Sequence, residues 1–481
     1  MNRQIVKLFG LILVLYALLF GFTSYWSVFD SSSLKANIAN RRPLLEEQRI
    51  QRGDILADDG TVIAHSRGVG KGNNKIYVRH YPLGRLFGNP IGYSFVDRGR
   101  VGFELSHNDE LVGNKTEFLS VLDELQGHAQ VGDNVQSALD PDAQRAAVDG
   151  LAGRRGSVVA IVPSTGEVRA MVSIPEYDPN DVENNATFRR LNTDESAPLF
   201  NRATQAGYPP GSTMKVVTAT AGLDSGDLSP SSTFSGRSPI AIEGVPLANS
   251  GGEQFGTIDM TTALTNSVNT WWAQAGEKIG ADTMFKYMDR YGFNAKPRLD
   301  YPNFQLAASG VYDGNRLLGP NAAIDIGRVA IGQERLRVTP LQMAEVAATV
   351  ANKGELMEPR LWSKVIRPDD RETNLEPAHQ STVMSEDTAS TLNTMMQNVV
   401  AEGTGTAAAL SGIPGAAAGK TGTAEISPGV NDAWFIGFAP ADDPKIAVAC
   451  VVEHTSGFGG PTCGPIFKSV AETILNGNSG G

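Results

Sequence analysis

Between Leu8 and Phe29 the chain reads LFGLILVLYALLFGFTSYWSVF, 22 residues without a charge. At about 1.5 Å per residue a helix of that length is roughly 33 Å long, enough to cross the hydrocarbon of a bilayer. Arg3 and Lys7 precede it, and Tyr25 and Trp26 stand where interfacial aromatic side chains are expected. A cleaved signal peptide has an apolar region of only about 7–15 residues and a small-residue cleavage site, and no such site follows here. The run therefore reads as a retained signal-anchor over residues 8–29, with residues 1–7 as a cytoplasmic tail. Lys35, Arg41 and Arg42 dilute the positive-inside asymmetry that sets this orientation. Everything after Phe29 is then expected on the far side of the plasma membrane. No second run approaches spanning length.

The remainder must fold as a large globular portion on a single tether. A hydrophobic fraction of 41% and a charged fraction of 19% are ordinary for folded chains and exclude wholesale disorder. A net charge of −11 argues against a nucleic-acid protein, whose affinity would rest on neutralising phosphates. Residues 30–137 are polar and glycine-punctuated, with short strand-like runs such as Lys75–Arg79. RGDILADDGTVIA (Arg52–Ala64) places Asp-Asp-Gly between two apolar stretches, a hairpin signal. Near residue 138 the character changes. Asp140-Pro141 caps a run of helix formers that ends at Gly153, and Ser157–Ile174 reads as two β-branched strands around a Ser-Thr-Gly turn. Helices and strands alternate from there, so residues 138–481 form an α/β (α+β) domain.

Three short motifs carry the chemistry. In Tyr208-Pro209-Pro210-Gly211-Ser212-Thr213-Met214-Lys215 the prolines and glycine break the chain before a helix-compatible stretch. A serine on the first turn of a helix sits where unpaired N–H groups favour developing negative charge. Lys215, three residues on, falls on the same face, within reach of the Ser212 hydroxyl as the base an activated serine needs. Alone the pattern is weak, since Ser32–Lys35 repeats it by chance. Ser267-Val268-Asn269 follows 55 residues after Ser212, in a turn between helices, and Ser106-His107-Asn108 shows that this tripeptide too recurs. Lys420-Thr421-Gly422-Thr423 occurs once, ahead of strand-like DAWFIGF. Together and in this order the three are the set shared by penicillin-binding proteins and serine β-lactamases.

The chain resembles a class B penicillin-binding protein of the actinobacterial penicillin-binding protein A group. RGDILADDGTVIA looks like the family's first pedestal motif, and RHYPLGRLFGNPIGYSFVDRGRVGFE, ending at Glu104, looks like its second. Asn201-Arg202-Ala203, VTPLQM (Val338–Met343), EGTGT (Glu402–Thr406) and AWFIGFAP (Ala433–Pro440) also match, in family order. Asp432 departs from a frequent histidine, and Ser137–Gln144 departs slightly from the usual Thr-x-Asp-x-x-x-Gln. The resemblance implies an N-terminal pedestal of the dimerisation type at 30–137 and a transpeptidase domain at 138–481, its central antiparallel sheet flanked by helices. Arg52, Asp58 and Glu104 would be structural charges tying one to the other.

What the resemblance implies chemically is peptidoglycan D,D-transpeptidation through a serine acyl-enzyme at D-Ala-D-Ala, blocked covalently by β-lactams. Ser212 would be the nucleophile, Lys215 the base and Ser267 a proton relay. Asn269 would position the substrate amide and Lys215, and Lys420 would supply a positive field. Thr421, Gly422 and Thr423 would bind substrate, with the backbone N–H groups of Ser212 and Thr423 as oxyanion hole. Neither metal nor organic cofactor is expected, because serine acyl chemistry needs none. A serine β-lactamase would require a deacylating base and no pedestal or anchor. A D,D-carboxypeptidase would share the acylation, and a scaffold or β-lactam sensor would not need intact motifs. Residues 30–137 are too short for a glycosyltransferase, so a separate membrane glycan polymerase is the implied partner. Trp271-Trp272 could line the cleft or pack a helix on the core. None of the six histidines sits near a motif. Cys450 and Cys463 flank VVEHTSGFGGPT outside the reducing cytosol and are expected to form a disulfide. The alternative is a buried free Cys450 with an exposed Cys463.

Overall fold

The structure is a computed structural model and describes residues 2–26, 42–113 and 131–477. The end of the expected anchor (27–29), the Ser32–Lys35 repeat and part of the pedestal span lie outside those residues. Asn2–Ser24 is one α-helix, and from Arg3 it is long and apolar enough to cross a membrane, with mean hydropathy 2.5 and none of it buried against the rest.

The C-terminal portion is organised on a five-stranded antiparallel sheet in the order Ala418–Ser427, Val430–Ala439, Ile446–Thr455, Gly156–Ile161, Val168–Ile174. The stretches Val158–Ile161 and Ile446–Val452 read as unbroken apolar runs because both faces are covered there. Alternate residues go to opposite sides. Val158, Ala160, Val448, Cys450 and Phe435 pack under the helices Pro141–Leu151 and Gly459–Gly477. Val159, Ile161, Ala447, Ala449, Val451 and Trp434 face the helix Pro340–Ala351, every residue of which is buried. Helix starts follow the capping signals. The Asp140 carboxylate accepts from the N–H groups of Asp142 and Ala143 at 2.8 and 3.0 Å, and Thr339 accepts from Gln342 N–H at 3.2 Å.

The pedestal sheet has six strands, in the order Glu372–Asn374, Trp362–Ile366, Asn134–Ser137, Ile55–Leu56, Val62–Val69, Ile76–His80. Asp58-Asp59-Gly60 closes the hairpin, with Gly60 at φ +84. Two of its strands come from residues 362–374, far along the chain, a pairing that no local signal announces.

The charges read as ties between the two parts divide differently. Only Asp58 crosses, to Arg169, which also meets Asp140 at 3.3 Å. Arg52 and Glu104 pair inside the pedestal at 2.9 Å, where the fully buried Glu104 also takes Arg79 and the Tyr81 hydroxyl. Burial pushes the Glu104 carboxyl up, but Arg79 and Arg52 overcome it and hold it at about 2. Asn180 bonding both N–H and C=O of Tyr81, and Gly102 N–H donating to Gln305 at 2.7 Å, complete the joint.

The expected disulfide is absent. Cys450 and Cys463 are free thiols, both fully buried between the sheet and the helix Gly459–Gly477. Cys463 Sγ is directed at the Ala433 carbonyl, 3.2 Å away. The turn into the helix carries Cys463 onto the sheet, which also removes the alternative in which it was exposed.

Candidate active site

The turn that carries Ser212 is clamped from four sides. Tyr208 exchanges two backbone hydrogen bonds with Val338 (3.0 and 2.8 Å), and its hydroxyl donates to Glu453 at 2.6 Å. Trp434 Nε1–H donates to Pro209 O at 3.1 Å, and Gly211 N–H to Gly332 O at 3.0 Å. Gly211 has φ +54, the left-handed region that glycine enters without strain. Gly211–Met214 then form one 3₁₀ turn that runs into the α-helix Lys215–Ser225. In 3₁₀ geometry residues i and i+3 eclipse. That stacks Lys215 on Ser212, with Nζ 2.9 Å from Oγ.

Ser267 lies between the helices Met260–Thr265 and Asn269–Ile279 at φ +57, a conformation costly for a residue with a Cβ. The bend turns both its oxygens on Lys215, whose Nζ donates to Ser267 O at 2.8 Å and lies 3.2 Å from Ser267 Oγ. Asn269 Oδ1 accepts from the same amine at 2.7 Å, while Asn269 Nδ2 is anchored on Ala248 O. Lys420, on the sheet's edge strand Ala418–Ser427, donates to Ser267 Oγ at 2.9 Å and to Thr421 O at 3.0 Å. Gly422 lets this strand lie against the turn, because a Cβ there would come within 2.8 Å of Pro210 O and the Thr213 methyl.

Both lysines are fully buried. Burial, aided by the charge of Lys420, pushes the Lys215 pKa well below the ordinary lysine value. Burial brings Lys420 to about 7. A neutral amine has two N–H donors and one lone pair. At Lys215 two partners, Ser267 O and Asn269 Oδ1, can only accept, so they use both N–H groups. The lone pair is left for the Ser212 hydroxyl. The arrangement would allow Lys215, when neutral, to accept a proton from Ser212.

These groups lie in or border an open groove of about 1060 Å³ lined by Ser212, Ser267, Asn269, Thr421, Gly422 and Thr423 among others. The structure therefore brings all three motifs to one place. Trp271 and Trp272 are fully buried, edge to face at 4.8 Å, with their N–H groups on Ile258 O and Ala263 O, so they pack the core and do not line the groove. Among the described residues no histidine lines it. Asn108 of the repeated tripeptide accepts from Arg52 in the pedestal, and Asp432 accepts from His454 N–H away from the serine. Among the described residues no three His, Cys, Asp or Glu side chains converge as a metal site would require. Sequence reasoning missed Tyr208, Glu453 and Trp434 as supports of the turn. The aromatic ahead of two prolines was the available signal for the first.

Residues 156–472 match the penicillin binding protein transpeptidase domain, and residues 52–135 match the penicillin binding protein A dimerisation domain. The chain is 33% identical to the peptidoglycan D,D-transpeptidase PbpA of Mycolicibacterium smegmatis over 99% of either protein. It is also 33% identical to the protein of that name from Mycobacterium tuberculosis, over 99% of this chain and all of the relative. A solved structure of penicillin-binding protein A from M. tuberculosis, a ceftriaxone acyl-enzyme complex, superposes with TM-score 0.80 at 31% identity, covering 90% of this chain and 100% of that one.

Proposed function

The chain belongs to the penicillin-binding protein transpeptidase family, and from that premise we propose that it cross-links peptidoglycan stem peptides through an acyl-serine on Ser212 and is acylated there by β-lactams. The observation that carries the reading is the buried Lys215 amine, held 2.9 Å from Ser212 Oγ between two partners that can only accept, Ser267 O and Asn269 Oδ1. In the first half-reaction Ser212 Oγ bonds to the carbonyl carbon of the penultimate D-Ala while its proton passes to Lys215. The tetrahedral oxyanion is met by the N–H groups of Ser212 and Thr423, each worth on the order of 3 kcal/mol. The proton then travels through Ser267, which touches both lysines, to the leaving nitrogen as the C–N bond breaks and D-Ala departs. An amine of a second stem peptide attacks the ester and restores Ser212.

Lys420, Thr421 and Thr423 receive the donor's terminal carboxylate, and Asn269 orients its amide. The edge strand Ala418–Ser427 offers a free row of backbone groups along which an extended peptide can lie. Asn2–Ser24 anchors the enzyme in the plasma membrane with the groove outside the cytoplasm. There a separate membrane glycan polymerase supplies the strands to be joined during growth and division. Incubation of the full chain with penicillin G, followed by intact mass spectrometry, tests the reading. One acyl adduct on the wild type, absent from Ser212→Ala and Lys215→Arg, is expected. Arginine keeps the charge of lysine but cannot give up its proton. An unmodified wild type would end the enzyme reading, and normal acylation of Lys215→Arg would remove Lys215 as the base.

A further inference from the structure

The two hydroxyls assigned to the donor's carboxylate are not free rotors. Thr423 Oγ1 accepts from the backbone N–H of Gly459 at 3.2 Å. Thr421 Oγ1 lies 2.8 Å from Thr404 Oγ1. Gly459 opens the helix Gly459–Gly477, and it must be glycine at this contact, because a Cβ there would come within 2.2 Å of Gly422 O. Thr404 is held by its own N–H on Thr265 O at 3.1 Å, and it lines the groove beside Thr421 and Thr423. Each groove hydroxyl therefore has one hydrogen-bonding neighbour behind it.

A carboxylate can only accept, so it binds Thr421 and Thr423 only while both direct their protons at it. Gly459 N–H can do nothing but donate, which leaves the Thr423 proton for the groove. The Thr404–Thr421 pair can run in either direction when the groove is empty. With a carboxylate present it must run from Thr404 to Thr421, giving the chain Thr404 O–H to Thr421 O–H to carboxylate, in which each bond polarises the next.

We infer that Thr404 is a positioning residue for the carboxylate end of the acyl donor, its hydroxyl acting through Thr421 to set that residue as a donor. This inference rests on the serine acyl-transfer reading of the groove. It makes discrimination between donors with a free and a blocked terminal carboxylate a property partly of a residue that does not touch them.

The test compares the full chain with Thr404→Val, which keeps the shape and removes the hydroxyl, and with Thr404→Ser, which returns it. The probes are penicillin G and penicillin G methyl ester, whose carboxylate is blocked, and the readout is the second-order acylation constant by intact mass. Thr404→Val should slow penicillin G by about five-fold, the scale of one neutral hydrogen bond to the hydroxyl that meets the carboxylate. It should leave the methyl ester within about two-fold, and Thr404→Ser should recover most of the loss. Thr421→Val should show the same selectivity, with little added by combining the two. Equal slowing of both probes by Thr404→Val, or slowing of neither, would overturn the inference and leave the function standing. A wild type that forms no adduct with penicillin G would overturn the function instead.

Discussion

Glu345 sits in the middle of the helix Pro340–Ala351, 4% exposed, and among the described residues the Gln342 amide, donating at 3.4 Å, is the side chain that meets its carboxyl. Burial raises its pKa from 4.5 to about 8, so at neutral pH the native protein holds a proton there that the unfolded chain has released. The native advantage is complete below about 4.5 and is lost as pH rises through about 8. At about 1.4 kcal/mol per pH unit, that interval amounts to about 5 kcal/mol of stability surrendered between mildly acidic and mildly alkaline solution. Glu345→Gln keeps the side chain's shape and a carbonyl oxygen for Gln342, and removes the titration. If residues 156–472 unfold as one unit, the entropy of unfolding near Tm is about 0.7 kcal/mol/K, so the variant should gain roughly 7 °C on the wild type as pH is raised. Calorimetry of both proteins from pH 5 to pH 9 reads this directly, the two curves starting close together and separating upward. A Tm difference that stays flat across the range would refute the reasoning, because it would mean that Glu345 does not titrate there.

Three further outcomes are expected. Lys420 loses its proton near pH 7, so acylation by a carboxylate-bearing β-lactam should decline as pH rises through that value in the wild type. In Lys420→Arg, which stays charged, the alkaline decline should be missing, and identical pH profiles would dissociate Lys420 from it. Glu104→Gln strands Arg79 and Arg52 without their buried anion and should cost about 3–5 kcal/mol in urea unfolding; a loss below about 1 kcal/mol would contradict the pairing described. Cys450 and Cys463 should resist a thiol reagent in the native protein and both react on unfolding, whereas a denatured mass lower by two hydrogens, with no titratable thiol, would show a disulfide after all.

The candidate site was legible because each motif encodes its own local geometry. Pro-Pro-Gly before Ser212 dictates a sharp turn, a lysine three residues on must then stack over the serine, and Lys-Thr-Gly ahead of an apolar strand places an amine at a sheet edge. The cap at Asp140-Pro141 and the two β-branched strands after Gly156 were equally local. What escaped was non-local or two-valued. Nothing near Trp362 says that its strand pairs with Ser137. Arg79 reads as one more charge on a strand until Glu104 is seen beneath it. The tryptophan pair fits a core and a cleft wall equally well by composition. The state of the two cysteines turned on where a helix start places Cys463, which no spacing rule contains.

The pedestal sheet's dependence on residues 362–374 fixes a timetable for folding. The strand Asn134–Ser137 can pair on one side with Ile55–Leu56 as soon as both have been made, but its other side waits for Trp362–Ile366. At about 5–20 residues per second the intervening chain takes roughly 10–45 s to be made. For that period the nascent protein presents an open strand edge, the kind of template that recruits wrong partners. A chain halted anywhere between residues 138 and 361 would keep that edge for good, so premature termination should produce a sticky, tethered fragment and not a harmless folded pedestal.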